Sequence, residues 1–331
     1  VSDLRHMDHA LGLARRGLGN TWPNPAVGCV IVKDGRVVGR GWTQPGGRPH
    51  AEVRALAQAG PAARGATAYV TLEPCSHHGK TPPCAEALIA AGIATVVSAM
   101  TDPDPRVSGR GHAMLRAAGI TVIEGIRETQ ARAQQQGFLM REAQGRPMLT
   151  LKLATSFDGR IATASGESRW ITGPEARHHV HALRLAHDAV MVGGGTARAD
   201  RPGLNVRGFG VVRQPVRVVV SGQPLPDLPV ESATHGPLWQ VSGDVADVMA
   251  QLGARGLTRV FCEGGGILAA SLLRAGLVDQ LVGYTAGVAI GGDGRAAIGP
   301  IGLQHLADAG RFHLLETRRI GGDLFHRWQR A

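Results

Sequence analysis

Apolar positions along the first half of the chain change period repeatedly, between the alternation of a half-buried strand and the three-to-four spacing of a helix. Leu4 to Leu18 has helical spacing, and Ala26 to Val32 with Arg36 to Trp42 reads as a hairpin across Lys33-Asp34-Gly35. A helix is predicted over Ala51 to Ala59. Strand patterns follow at Ala66 to Leu72, Thr95 to Met100 and Thr121 to Glu124, separated by helical stretches at Ala85 to Ala91 and His112 to Ala118. This order describes an α/β domain whose sheet has helices between its strands.

A polar helix over Glu128 to Glu142 runs into Gly145-Arg146-Pro147, a breaker cluster that marks a domain boundary, giving domains of residues 1–145 and 146–331. Beyond it β-rich runs recur at Met148 to Thr155, Ala189 to Val192, Val216 to Val220 and Arg259 to Cys262. Helices are predicted at Pro174 to Ala186, Val245 to Ala254 and Ile267 to Ala275, and strands at Phe312 to Arg319 and Leu324 to Trp328. The second half therefore reads as another α/β domain, and 331 residues suffice for two cores.

Composition changes this picture little. A hydrophobic content of 43 % fits a chain folded throughout. No run reaches the roughly 18 apolar residues of a membrane span, and the first residues lack an apolar signal core, so no membrane association and a cytoplasmic location are expected. The net charge of +10 invites a nucleic-acid reading. Against it, the basic residues are scattered and aromatics are only 4 %, a poor supply of stacking platforms. No nucleic-acid partner is expected; a phosphorylated small substrate or cofactor explains the basic excess equally well. The pattern leaves the oligomeric state open, a homo-oligomer included.

Candidate chemistry is concentrated in Pro49-His50-Ala51-Glu52, at a helix start, and in Glu73-Pro74-Cys75 and Pro83-Cys84. One imidazole and two thiolates give Zn2+ three protein ligands and leave a fourth position for water, the arrangement of a catalytic site. A carboxylate two residues from the histidine is placed to carry a proton from that water to a departing amine. His50, Cys75 and Cys84 are thus the expected metal ligands and Glu52 the catalytic proton carrier, following the nucleobase-deaminase pattern of His-x-Glu and Pro-Cys. A structural zinc would need a fourth ligand, for which His77 and His78 are the near candidates. Cys29 and Cys262 lie in strand-like runs and are expected in the core.

Deaminases of this pattern have two residues between their cysteines, whereas eight intervene here, from Ser76 to Pro83. With Pro23-Asn24-Pro25, Val27-Gly28 and Thr71-Leu72-Glu73-Pro74-Cys75, this spacing closely resembles the bifunctional riboflavin-biosynthesis deaminase/reductase family. The resemblance continues through Asp102-Pro103, Leu151-Lys152, Asp158-Gly159-Arg160-Ile161-Ala162, Trp170-Ile171-Thr172-Gly173, Leu183-Arg184, Gly195-Thr196, Ala199-Asp200 and Glu263-Gly264-Gly265-Gly266. It implies a cytidine-deaminase-like three-layer α/β domain followed by a dihydrofolate-reductase-like α/β domain. It also implies deamination of 2,5-diamino-6-(5-phosphoribosylamino)pyrimidin-4-one, then NADPH-dependent reduction of the ribosyl group to ribityl. By the same resemblance Asn24, His77, Lys80 and Asp102 contact the deaminase substrate.

No Gly-x-Gly-x-x-Gly follows the first strand of the second half, so no motif argues for a dinucleotide-binding Rossmann domain. Gly193-Gly194-Gly195-Thr196 follows a strand and Gly264-Gly265-Gly266 opens a helix, and glycines there let backbone amides approach phosphate oxygens. The resemblance implies that Ala154, Trp170, Thr196, Asp200 and the segment Gly265, Gly266, Ile267, Leu268, Ala269, Ala270 and Ser271 contact NADPH. It implies substrate contacts from Ser168, Arg184, Leu204, Arg207 and Glu263. Arginine forks suit a ribose phosphate, and a carboxylate can hold sugar hydroxyls.

The chain departs from the family at Thr43 and Asp104, where relatives usually have His and Asn; weaker deaminase substrate binding is expected from both. The rival readings are an RNA- or nucleoside-editing zinc deaminase with a non-catalytic C-terminal binding domain, and a binding protein whose sites have decayed.

Overall fold

The computed structural model describes residues 2–78, 82–104, 108–210 and 212–331. The chain divides into two compact units, residues 1–145 and 146–331. Gly145 caps the last helix of the first unit in the left-handed conformation that suits glycine. Arg146 opens the second unit by placing two guanidinium nitrogens 2.8 and 2.9 Å from the carboxylate of Asp279, which also accepts the Leu149 N–H.

In the first unit the order is α1 (Ser2–Ala14), β1 (Gly28–Lys33), β2 (Arg36–Trp42), α2 (Ala51–Ala59), β3 (Thr67–Val70), α3 (Cys84–Ala90), β4 (Thr95–Ser98), α4 (Arg110–Ala117), β5 (Thr121–Glu124) and α5 (Glu128–Gln144). The sheet runs β2-β1-β3-β4-β5, antiparallel across its first two pairings and parallel across the last two. The predicted first helix is shorter than its apolar pattern: α1 stops at Ala14 and the chain tightens into a 3-10 turn at Arg15–Gly17.

Helices cover both faces of this sheet. Gly28 pairs with Trp42 and Cys29 with Gly41, so Gly28 and Gly41 point to opposite sides. A Cβ on Gly28 would lie 1.9 Å from the Ala10 carbonyl oxygen of α1, and one on Gly41 would lie 2.1 Å from the Ala51 oxygen of α2. Gly39, on the same face as Gly41, meets the Ala55 oxygen at 2.3 Å in the same way. The glycines of β2 and the alanines of α2 therefore let backbone lie on backbone, which fixes where α2 begins. Between the layers Val30, Ile31, Val96, Val97, Leu88 and Leu115 are fully buried, each contributing about 1.5–3 kcal/mol.

The second unit comprises β6 (Met148–Thr155), β7 (Arg160–Ala162), α6 (Pro174–Leu185), β8 (Ala189–Gly193), α7 (Gly194–Asp200), β9 (Val216–Val220), β10 (Leu238–Val241), α8 (Val245–Ala254), β11 (Arg259–Gly264), α9 (Gly266–Arg274), β12 (Gln280–Thr285), β13 (Arg295–Ala296), β14 (Phe312–Ile320) and β15 (Asp323–Arg330). Eight strands form one open sheet in the order β10-β9-β8-β11-β6-β12-β15-β14. The pairings are parallel as far as β12 and antiparallel from there to the β14 edge.

Apolar periodicity does not reveal β12, although it lies inside the sheet. Its centre is Gly283, where a Cβ would sit 1.9 Å from the His326 ring. The missing side chain that breaks the pattern is what admits the imidazole. Helix α7 is hidden for a related reason, since it opens on Gly194-Gly195 and has seven residues. Cys29 and Cys262 are fully buried in β1 and β11. No helix among the described residues is long and apolar enough to cross a membrane.

Candidate active sites

His50 caps the N-terminus of α2 with extended backbone, and Glu52 stands in the first turn. Cys84 is the first residue of α3, and Cys75 lies in the segment after β3. The His50 Nδ1 atom is 3.3 Å from Cys84 Sγ and 3.7 Å from Cys75 Sγ, and the Cys84 backbone N–H donates to Cys75 Sγ at 3.3 Å. The three ligand atoms all lie within 4.8 Å of one another, and they are the only such cluster of three among the described residues. One nitrogen and two sulfurs suit a thiophilic divalent cation.

Local electrostatics divides the two thiols: the hydrogen bond with Cys75 and then burial push Cys84 up, and Cys75 moves the other way. Hydrogen bonding from Cys84, opposed by burial and reinforced by the His50 ring, brings the Cys75 thiol down to about 4. Burial and then the negative charge of Cys75 push Glu52 above the usual carboxyl range, so this carboxyl retains a proton easily. His78 pairs with Glu86 at 3.0 Å and is exposed, and neither it nor His77 joins the cluster as a fourth ligand.

The cluster opens on a cavity of about 360 Å³. Three residues expected to touch substrate, Asn24, His77 and Asp102, line it. The fourth, Lys80, lies outside the described residues. Asn24 donates to the Gly47 carbonyl at 3.0 Å, and its Nδ2 is 3.5 Å from His50 Nε2, the ring nitrogen remote from the sulfurs. Asp102 is pushed up to about 6, chiefly by burial, with the carboxylates of Asp104, Glu73 and Glu142 adding to the effect.

Thr43 and Asp104 both line the cavity, but Thr43 is 2 % exposed and its Oγ1 accepts the Val27 N–H at 2.9 Å. Its hydroxyl secures the backbone that carries Asn24 and Ala26, so a shorter reach toward substrate is not its main consequence. Glu73 went unassigned in the sequence; it is 3 % exposed and both its oxygens accept backbone N–H groups.

In the second unit Arg184 of α6 forms a two-pronged ion pair with Glu263 of β11 and donates to the Asn205 carbonyl at 2.7 Å. Burial opposes ionisation of Glu263, but Arg184, Lys152 and His181 bring it down to about 2. His181, brought down to about 4 by burial and the charges of Arg184 and Arg207, accepts the Arg207 N–H at 3.3 Å. Leu204 precedes Asn205 in a left-handed conformation and is buried. Arg184, Leu204, Arg207 and Glu263 are thus brought together, with Lys152 and His181 as members the sequence did not assign. Lys152 is one of three lysines in the chain, the one available signal.

The residues expected at the cofactor are more dispersed. Thr196 Oγ1 donates to the Gly264 carbonyl at 3.4 Å, joining the glycine-rich ends of β8 and β11. Gly265 has φ 91° and caps α9, whose first-turn amides lack acceptors within the helix. Ile267 is exposed, whereas Ala269 and Ala270 are buried in the core and Ser271 donates back to the Ile267 carbonyl. At the start of the Gly265–Ser271 segment the carbonyls of Gly265 and Gly266 are bonded to the Ala269 and Gly299 N–H groups, which leaves the first-turn N–H groups as its polar feature. Ser168 and Asp200 line a depression of about 470 Å³, and Trp170 stands exposed with the guanidinium of Arg177 4.5 Å from its ring. Ala154 is part-buried on β6.

Comparison with known proteins agrees with both halves. Residues 1–100 match the cytidine and deoxycytidylate deaminase zinc-binding region, and residues 147–325 match the RibD C-terminal domain. The chain is 44 % identical to the riboflavin biosynthesis protein RibD of Escherichia coli K12, covering 98 % of each. Its structure resembles that of Acinetobacter baumannii RibD, with TM-score 0.89 and 39 % identity over 100 % of this chain and 99 % of the other. It also resembles a Thermotoga maritima diaminohydroxyphosphoribosylaminopyrimidine deaminase/5-amino-6-(5-phosphoribosylamino)uracil reductase, with TM-score 0.88 and 33 % identity over 100 % and 99 %.

Fold, the His50, Cys75 and Cys84 cluster and the matches together define a bifunctional enzyme of riboflavin biosynthesis, with a zinc-binding deaminase domain and a reductase domain. The editing-deaminase reading, with its non-catalytic second domain, is not favoured. At this identity over nearly its whole length, the chain belongs to the RibD family.

Proposed function

We propose that residues 1–145 deaminate 2,5-diamino-6-(5-phosphoribosylamino)pyrimidin-4-one and that residues 146–331 reduce the ribosyl group of the deaminated product with NADPH, both in the cytoplasm. The observation that carries the first half is the His50, Cys75 and Cys84 triangle beside Glu52 at the cavity. His50, Cys75 and Cys84 would hold the zinc, which when bound acidifies a water at its open position. Glu52 takes a proton from the attacking water and returns it to the amino group that leaves as ammonia. Its burial favours the protonated state needed for that return. Asn24, His77 and Asp102 orient the pyrimidine, with Lys80 as a further contact.

The second half rests on Arg184 and Glu263. NADPH supplies the hydride when bound, with its contacts assigned to Ala154, Trp170, Thr196, Asp200 and the start of α9. Glu263, held ionised, accepts hydrogen bonds from sugar hydroxyls, while Arg184 and Arg207 offer donors to the phosphate. Ser168 and Leu204 complete the substrate contacts. The partner is a phosphorylated small molecule, with no nucleic acid. A two-stage assay tests the proposal: ammonia release from the diaminopyrimidine, then NADPH oxidation that depends on that product. Ammonia release without dependent oxidation would remove the reductase assignment.

A further inference from the structure

The carboxylate of Glu73 lies two residues before Cys75, is 3 % exposed, and faces four backbone donors. Its Oε2 accepts the N–H of Asp102 at 3.1 Å and of Gly109 at 3.0 Å. Its Oε1 accepts the N–H of Gly111 at 2.9 Å and of His112 at 3.3 Å. Gly111 and His112 belong to the first turn of α4, whose cap is Gly109, a residue with no side chain to satisfy those amides. Glu73 does so from another part of the chain.

The same carboxylate therefore spans two jobs. It caps α4, and it holds Asp102 and Gly109, which flank Asp104; Asp102 and Asp104 line the deaminase cavity. The approach is close: a Cβ on Gly111 would lie 2.0 Å from the Pro74 carbonyl oxygen, so the first turn of α4 rests on the backbone between Glu73 and Cys75. The Glu73 N–H in turn donates to the Met100 carbonyl at 2.9 Å, where β4 gives way to the Asp102 segment. The metal-ligand segment and the substrate segment are tied through one side chain.

We propose that Glu73 is a positioning residue for deamination, fixing the Asp102 segment against the metal-ligand segment so that the substrate is presented to Glu52 in register. The inference rests on the deaminase reading of this cavity. Glu73→Gln keeps the size of the side chain but turns an amide donor toward N–H groups, which releases one side of the clamp. The expected result in the full-length zinc enzyme is a deaminase KM raised about tenfold, with kcat and zinc content nearly unchanged and reduction of supplied product unaffected. A helix cap alone predicts a lower melting temperature at unchanged KM, and that outcome overturns the proposal. So does loss of zinc in parallel with activity.

Should the variant fail to fold, Glu73→Asp, which keeps the charge but shortens the reach, is read by the same split of KM against melting temperature, and amide hydrogen exchange on the wild-type protein checks the clamp itself. Gly109, Gly111 and His112 are expected to exchange far more slowly than first-turn amides without acceptors, such as those of α9; exchange at the same rate overturns the clamp. Wild-type protein that releases no ammonia would instead remove the deaminase reading and leave the exchange result standing.

Discussion

Arg184 closes two guanidinium nitrogens on the two carboxylate oxygens of Glu263, a residue that follows it by 79 positions. Both side chains are mostly withdrawn from water, so neither charge is free to lose its partner. Breaking such a pair by removing one member typically costs about 3–5 kcal/mol, because the other charge stays buried. Arg184→Met is therefore expected to lower reductase kcat/KM on the order of a hundredfold or more and to reduce the stability of the second unit. Steady-state NADPH oxidation and a thermal melt check both; unaltered reduction would show that the pair is only architectural.

Zinc dependence and proton transfer separate by mutation. Cys75→Ser should remove metal and deamination together. Glu52→Gln should keep about one zinc per chain while turnover falls on the order of 10²–10⁴-fold, the usual worth of a general acid-base group. Metal analysis and ammonia release on the two proteins give the answer, and normal deamination by Glu52→Gln would remove it from the mechanism.

The two activities should also come apart. Cys84→Ser is expected to abolish deamination yet leave reduction of supplied deaminated product at the wild-type rate, with NADPH preferred over NADH. Loss of both reactions in a folded protein would argue that the second site depends on the first.

The deaminase should respond to acid through Asp102. Burial, Asp104, Glu73 and Glu142 hold its carboxyl up near 6, while Arg48 and Arg141 also line the cavity. A raised carboxyl pKa favours the folded state most below the unfolded value, and that contribution is lost as pH rises from about 4 through 6. For binding the sign is opposite if the ionised form accepts the substrate N–H groups: KM should fall as pH rises through about 6. Asp104→Asn removes one repelling charge and should move that transition to lower pH and lower the KM at pH 6. A pH profile of deaminase KM for wild type and variant measures this, and coincident profiles would exclude the coupling. Thr43→His also removes the hydroxyl that accepts the Val27 N–H, so its effect on KM combines substrate reach with the hold on that backbone.

The quartet was readable because His50, Glu52 and Cys84 sit at helix starts and Cys75 follows a strand in a Glu-Pro-Cys turn, where spacing and turn chemistry leave a mark. The helix over Ala51–Ala59 has the bounds its pattern predicts. What stayed hidden depends on partners far along the chain. Glu73 looks like any acid before a proline until its oxygens meet amides 29 to 39 residues away. Gly283 reads as a strand breaker until His326 fills its place. Lys152 is an isolated cation in an apolar run until Glu263 and Arg184 surround it. The segment from Gly265 to Ser271 shows the converse limit, because resemblance transfers a whole stretch, while burial divides it between the free helix start and the core-facing alanines.

The bare backbone of β2 beneath α2 sets a gauge length for the chemistry. Gly39 and Gly41 leave no clearance for a methyl group, so alanine at either must raise α2 by about 1 Å, a displacement that in a catalytic constellation can cost on the order of a hundredfold in rate. Because α2 carries His50 and Glu52 whereas Cys75 and Cys84 are anchored elsewhere, that lift changes the span between the halves of the site while leaving every functional side chain intact. Variation at these two glycines would thus act on rate through the span of the site as well as on stability through the overpacked layer, and an inventory of reactive groups would never point to the cause.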